Sequence, residues 1–143
     1  MRLGKLSAAL FVLAAACGGS SALDPALNGT WTGPTTFTVT GNAPQTGTGS
    51  LKVAVSGQNA VLSEICLDGT GSVTMPGSGN SASWTGSFDC PPVQFTNCAA
   101  VILTFKSATI SLNNATLTAQ GSGTGAGCGA TISFSLALTG TKS

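Results

Sequence analysis

The chain has 143 residues, a formal net charge of +1 and no histidine, and only 6% of its residues are charged. Histidine is the usual general base, so its absence excludes Ser-His-Asp and Cys-His catalytic sites. The chain also has no basic stripe that could neutralise phosphates, and no glycine-rich phosphate loop ending in Gly-Lys-Ser or Gly-Lys-Thr. We therefore predict a protein that is not an enzyme, has no cofactor and does not bind nucleic acid.

The first 16 residues have the features of an export signal. Arg2 and Lys5 precede a mostly apolar, uncharged run at residues 6–16, which ends in three alanines before Cys17. A basic start, an apolar stretch of this length and small residues at the cleavage point are typical of secretory signal peptides, and the run is too short to span a bilayer. We predict a signal peptide over residues 1–16.

The segment Leu13-Ala14-Ala15-Ala16-Cys17 resembles the lipobox of bacterial lipoprotein precursors. That family favours leucine three residues before the cysteine, where this chain has Ala14, and an ordinary A-x-A cleavage site is the alternative. The resemblance implies that the Cys17 thiol carries a diacylglyceryl group through a thioether and that the new amine is acylated, with fatty acids such as palmitate and with the membrane as the partner. It also implies a lipid-anchored protein of the bacterial cell envelope, and Gly18 in place of aspartate after the cysteine implies the outer membrane.

Apolar residues alternate with polar or small ones along most of the remaining chain. Leucine and valine alternate with lysine and alanine over residues 51–55, and isoleucine, phenylalanine and leucine alternate with serine and alanine over residues 132–138. Period-two alternation is typical of strands with one buried face. Divided at its turn-forming residues, the pattern predicts eight strands, at 30–40, 49–56, 60–66, 70–75, 81–89, 99–112, 115–122 and 130–139.

The connections between these strands are short, which favours antiparallel neighbours in an up-and-down order. Asn113-Asn114 is predicted to be a two-residue hairpin turn. Eight strands can close into a small barrel that has no free edges. We predict an all-β fold, an antiparallel up-and-down barrel at residues 29–143, with a two-sheet β-sandwich as the alternative. Residues 17–28 are then the lipidated cysteine and a flexible tether.

The first predicted strand opens with Gly29-Thr30-Trp31, which is similar to the G-x-W of lipocalins and avidins, the calycin barrels. The resemblance implies that Trp31 plugs the closed end of an eight-stranded barrel. Lipocalins stack an arginine from the last strand on this tryptophan, and the predicted strand 130–139 contains no basic residue. Ordinary core packing is the simpler interpretation of Trp31 and of Trp84, which are the weak candidates for ligand contact.

Two further sequence patterns are candidate sites. Glu64, Asp68 and Asp89 could form a carboxylate pair or a calcium site, but Asp68 precedes Gly69 as turn aspartates do, and Glu64 is predicted to face solvent in a strand. Glycine occupies every second position over residues 121–129. We predict a mobile loop there, and the alternative is a strand whose bare face admits a backbone or a flat ligand.

The chain has five cysteines, an odd number for an exported protein. If Cys17 is lipidated, four remain for two disulfides, and a metal site is not predicted because no C-x-x-C spacing and no histidine are present. Strand direction alone collects all four at the rim opposite Trp31. It favours the pairs Cys98–Cys128 and Cys66–Cys90, and the rival pairing is Cys90–Cys98 with Cys66–Cys128.

The function hypotheses differ in whether the barrel interior is filled. The inward-facing leucine, valine and phenylalanine side chains, together with both tryptophans, are large enough in sum to fill a small barrel. This favours a non-enzymatic, lipid-anchored envelope protein with a structural or surface-interaction role. The alternative is a binding module that holds a small apolar or glycan ligand in the open end of the barrel.

Overall fold

The alternating pattern forms an antiparallel β-structure. The computed structural model describes residues 21–143, so the predicted signal peptide and Cys17 lie outside the described residues. Within that range the strands are β1 Gly29–Val39, β2 Gln45–Ser56, β3 Asn59–Ser63, β4 Ser72–Ser78, β5 Ser81–Asp89, β6 Val93–Phe95, β7 Cys98–Asn113, β8 Thr116–Gly127 and β9 Ala130–Lys142.

Eight of these strands form a closed ring of hydrogen bonds. Consecutive strands pair from β1 to β5, β5 pairs with β7, and the order continues through β8 to β9, which pairs back onto β1. The short strand β6 lies beside the start of β7 and outside the ring. The predicted all-β, up-and-down, barrel-like fold is therefore confirmed, and one closed ring stands in place of two stacked sheets. Closure pairs each strand of the ring on both sides over at least part of its length.

The last strands are longer than the sequence indicated. Residues 121–127 were predicted to be a mobile loop, but they continue β8, with Gly123 opposite Phe105 of β7 and Phe134 of β9. Pairing on both sides fixes the glycine backbone, which outweighs the conformational freedom of glycine. Strand β9 runs to Lys142, three residues past the predicted end of the last strand. Strand β6 follows the Pro91-Pro92 pair, where the sequence predicted a break and no strand.

The β7–β8 hairpin turns one residue later than predicted. Asn113 pairs with Thr116, so the two turn residues are Asn114 and Ala115. Asn114 has a φ of +54°, a conformation that asparagine tolerates better than most residues. An irregularity between Phe105 and Ser107 then shifts the register by one position along the hairpin.

One end of the ring is closed by residues that were predicted to be flexible tether. A 3₁₀ turn at Pro25–Leu27 begins at Asp24, whose side chain accepts a hydrogen bond from the Ala26 amide at 2.8 Å. Leu23 and Leu27 are buried in the core cluster next to Trp31. Burying each leucine contributes about 1.5–3 kcal/mol, which offsets the cost of ordering the segment. No helix within residues 21–143 is long and apolar enough to cross a membrane.

Both predicted disulfides are present at the opposite end of the ring. Cys66 bonds to Cys90 with a Cα separation of 5.7 Å, and Cys98 bonds to Cys128 with a Cα separation of 5.8 Å. Up-and-down strand order places the end of β3, the end of β5, the start of β7 and the end of β8 at one rim, as predicted, and the β7–β8 hairpin brings Cys98 near Cys128. The rival pairing is wrong.

Candidate functional site

The interior of the ring contains a cavity of about 320 Å³, here called the Trp84 cavity. It lies between the closed end, where Trp31 packs, and the disulfide rim. Each strand of the ring contributes at least one inward-facing residue to its wall. One from each strand in ring order is Thr35, Leu51, Leu62, Val73, Trp84, Phe105, Gly121 and Leu136.

The cavity exists because several inward positions carry small residues. Ala108 and Ala119 line it on β7 and β8, and Gly49 and Gly121 line it on β2 and β8. A larger side chain at Ala108 or Ala119 would extend into this space, whereas the Cβ positions of Gly49 and Gly121 are already occupied by the Thr35 hydroxyl and the Phe105 ring. The expectation that the interior is filled rested on the large residues alone, and it is wrong for this layer of the ring.

The mouth of the cavity is the loop between β3 and β4. Strand β3 pairs only with Lys52–Ser56 of β2, so within the described residues positions 45–51 have no strand partner on that side. Loop residues from Glu64 to Gly69, including the disulfide-bonded Cys66, line the cavity at this gap. Leu67 in the same loop is 52% exposed. The gap in pairing therefore gives the interior a lateral opening covered by one loop.

Trp84 supplies the only indole in the wall described above. Its side chain is half-buried and faces inward on β5, where Trp84 pairs with Ala108 of β7. The ring lies over Gly86 of its own strand, because a Cβ built on Gly86 would come within 2.6 Å of the indole carbon Cζ2. The tryptophan thus lies along the wall and leaves the centre of the cavity open.

Trp31 has a different role, at the closed end. It is 2% exposed, and its indole Nε1 donates a hydrogen bond to the Leu27 carbonyl at 2.9 Å. The Nζ atom of Lys142 lies 5.3 Å from the centroid of the ring, within range of a cation–π interaction, and donates to the Ala26 carbonyl at 2.9 Å. The expectation that the last strand offers Trp31 no basic partner is wrong, because β9 continues past residue 139. Trp31 does not line the Trp84 cavity.

The alternate glycines of β8 face the interior, but neighbouring side chains cover them. A Cβ on Gly121 would come within 2.8 Å of the Phe105 ring, and one on Gly125 within 2.9 Å of Ile132. A Cβ on Gly123 would collide with the carbonyl oxygen of Thr104. The bare face therefore seats apolar side chains from β7 and β9, and it does not form a slot for a flat ligand.

Two charged groups lie beside the mouth. Glu64 follows the end of β3 with a φ of +65°, so its predicted position within a strand is wrong. Its Oε1 atom lies 2.8 Å from Nζ of Lys52, and Oε2 accepts a weak hydrogen bond from Ser50 at 3.4 Å. The hydrogen bond from Lys52 lowers the pKa of Glu64, and the same bond raises the pKa of Lys52. Glu64 is therefore ionised at neutral pH.

The other carboxylates lie apart from Glu64 and have local partners. Asp68 accepts hydrogen bonds from the Thr70 hydroxyl at 2.7 Å and the Thr70 amide at 3.1 Å, and the hydroxyl contributes most to lowering the pKa of Asp68. Asp89 accepts from the Thr104 hydroxyl at 2.6 Å. Among residues 21–143, no three histidine, cysteine, aspartate or glutamate side chains are grouped to hold a metal ion. The carboxylate-pair and calcium hypotheses gain no support from these contacts.

Comparison of the chain with protein-family models, with curated proteins and with solved structures gives no match. The case for a function rests on the geometry of the Trp84 cavity and its mouth.

Proposed function

We propose that the protein is a non-enzymatic binding protein of the bacterial cell envelope that holds a small apolar molecule in the Trp84 cavity and is anchored through lipid on Cys17. The observation that carries the proposal is the cavity itself. Its volume of about 320 Å³ falls at the lower end of the range for small-molecule sites, which are concave and mostly apolar.

The chemistry of the wall supports an apolar ligand. The inward-facing wall residues are aliphatic, aromatic or glycine except for Thr35, and no polar or charged side chain is fully buried among residues 21–143. Such a wall offers dispersion contacts and removal of apolar area from water, worth about 25 cal/mol per Å². Hydrogen-bonding side chains lie at the mouth, at Glu64 and Ser50, and Thr48 of β2 and Gln120 of β8 add two more to the lining.

The position of the anchor supports a mouth that faces away from the membrane. Ala22 begins the segment packed at the closed end, where Leu23 donates a backbone hydrogen bond to the Gly57 carbonyl at 2.9 Å. The five Cα–Cα steps from Cys17 to Ala22 span at most about 18 Å when fully extended. The lipid then holds the closed end near the membrane, and the mouth exchanges its ligand with the aqueous side.

A surface-interaction role is the second candidate, favoured by exposed apolar residues near the disulfide rim. Leu67, Phe95 and Ile102 are 52%, 36% and 41% exposed. Phe95 and Ile102 lie on the paired strands β6 and β7, and large exposed hydrophobic residues that form one patch mark contact surfaces more often than isolated ones do. This role needs no empty cavity, so the experiment that follows distinguishes the two candidates.

The test is a titration of purified protein with the neutral fluorescent probe N-phenyl-1-naphthylamine, read by energy transfer from tryptophan. We expect saturable binding with energy transfer that falls in Trp84→Phe but persists, because Trp31 pairs with the lining residue Leu51 and is also close enough to transfer energy to the probe. Ala119→Leu fills the cavity and is expected to weaken binding at least tenfold. Its matched control, Ala137→Leu, adds the same side chain to the outward, exposed face of β9 and should bind as the wild type does.

Binding that Ala119→Leu leaves unchanged would place the probe on the outer surface and favour the surface-interaction role. Absence of saturable binding to the wild type would reject the ligand-binding proposal.

A further inference from the structure

A second cavity of about 310 Å³ lies beyond the Trp84 cavity, at the disulfide rim. We name it the Phe37 cavity. The Cys98–Cys128 disulfide, the turn between β1 and β2 and strand β6 enclose it, and its apolar wall includes Phe37, Val39, Phe95, Val101 and Ile132. It shares no lining residue with the Trp84 cavity.

One layer of inward-facing residues separates the two cavities on three adjacent strands. On β9, Ile132 lines the Phe37 cavity and Leu136 lines the Trp84 cavity, with Phe134 between them. The same spacing recurs on β8, which pairs with β9, and on β7, which pairs with β8. Gly123 lies between Gly125 and Gly121 on β8, and Leu103 lies between Val101 and Phe105 on β7.

Phe134 is the large side chain of this layer. It is 4% exposed, and its ring centroid lies 5.1 Å from that of Phe105 in an edge-to-face arrangement and 5.6 Å from that of Phe37. Phe105 lines one cavity and Phe37 lines the other. Gly123, which pairs with Phe134 across the β8–β9 ladder, adds no side chain to the layer. The Phe134 ring therefore bridges the walls of the two cavities.

From this placement we infer that Phe134 is a specificity-determining residue that limits the length of a linear apolar ligand, because the ligand must fit within the Trp84 cavity. The inference rests on the proposed function and adds the ligand class, an unbranched chain with a neutral hydrogen-bond donor at one end. The chain enters past the β3–β4 loop, and its donor stays near the ionised Glu64 carboxylate. Its far end stops at the Phe134 ring, and a smaller residue there joins the two cavities.

The experiment measures the affinity of the wild type and of Phe134→Ala for primary alcohols from 1-hexanol to 1-dodecanol, by displacement of N-phenyl-1-naphthylamine. Each methylene that enters an apolar site is expected to raise affinity about fourfold. In the wild type this gain should stop at a chain length set by Phe134. In Phe134→Ala the gain should continue for several more carbons, because the chain passes into the Phe37 cavity.

Two further variants keep the test decisive if Phe134→Ala folds poorly. Phe134→Leu retains apolar bulk and shortens the side chain. We call the chain length at which affinity stops rising the break, and we expect it to move by fewer carbons in Phe134→Leu than in Phe134→Ala. Ile132→Phe in the Phe134→Ala background reduces the Phe37 cavity next to position 134, so the chain length at which affinity stops rising should return toward the wild-type length. Circular dichroism and thermal unfolding of each variant confirm that folded protein is being compared.

A break at the same chain length in the wild type and in the folded Phe134 variants would overturn the inference and leave the proposed function standing. Failure of every alcohol to displace the probe from the wild type would instead count against the proposed function. Affinities that rise without a break in the wild type would also overturn the inference, since no length limit would then exist.

Discussion

At the scale of single residues, the glycines of β8 show how one side-chain position controls the packing of three strands. Gly123 pairs with β7 and β9, and its missing Cβ lets the Thr104 carbonyl approach the β8 backbone. Period-two spacing of glycine in the sequence indicated a bare face, as the structure has it. It could not indicate what covers that face, because Phe105 and Ile132 reach it from neighbouring strands.

Substitution of Gly123 tests this close approach. Gly123→Ala is expected to lower the free energy of unfolding by about 1–3 kcal/mol, because the added methyl group forces β7 and β8 apart. The matched control is Gly47→Ala in β2, where a Cβ would meet no atom within 4 Å. The control should be neutral or slightly stabilising, since alanine loses less backbone entropy than glycine on folding. Equal urea unfolding midpoints for the two variants would contradict the proposed close packing.

Glu64 gives a prediction for the pH dependence of stability. Its folded-state pKa lies below the ordinary value of 4.5, so the Lys52 contact adds stability above that pH and loses it as the pH falls through the folded pKa. We expect urea unfolding midpoints to fall less between pH 7 and pH 3 in Glu64→Gln than in the wild type.

Lys52→Met removes the cause of the shift and keeps the carboxyl group, so it should show the same shallower loss of stability in acid. A wild type whose midpoint falls no more than that of either variant would show that the ion pair does not act on stability.

At the scale of elements, strand existence and order follow from the alternation, and strand length does not. Lys142 lies in β9 although Gly140 interrupts the apolar pattern, because backbone pairing with β1 continues past it. Strand β6 is short, and its Val93 pairs with Val101 after a Pro-Pro sequence that predicts only a break. Leu23 and Leu27 fall within residues 17–28, which were predicted to be the lipidated cysteine and a flexible tether, and both are buried. Their burial depends on the shape of the closed end of the ring, which cannot be predicted from the residues of this segment.

The two disulfides allow a matched comparison of rim elements. Their sequence separations are 24 and 30 residues, so removing either pair by cysteine-to-alanine substitution should cost a similar amount, about 2–4 kcal/mol. Their positions differ, because Cys66 lines the mouth of the Trp84 cavity, whereas Cys98 and Cys128 line the Phe37 cavity.

We expect loss of Cys66–Cys90 to raise the dissociation rate of N-phenyl-1-naphthylamine several-fold, and loss of Cys98–Cys128 to leave it near the wild-type value. Stopped-flow fluorescence measures both rates. If both variants release the probe at the wild-type rate, the Cys66 loop is not the mouth.

At the scale of the whole molecule, closure of the ring brings the inward-facing residues of all eight strands around one interior. The large inward residues are visible in the sequence, and they do fill the closed end around Trp31. The middle layer stays open because Ala108 and Ala119 are small, and closure of the ring brings them to line the same interior. Trp84 was a candidate from the sequence, whereas its small neighbours were missed. Small residues at successive inward positions are the signal that could have indicated a cavity.

Native mass spectrometry of the protein purified from its native source tests the central claim, that the Trp84 cavity holds an apolar ligand, most directly. The wild type should retain a small molecule that is released on denaturation in organic solvent, and Ala119→Leu should lack it while Ala137→Leu retains it. A wild-type mass equal to that of the covalent chain alone, in gentle detergent and before any extraction, would contradict the claim.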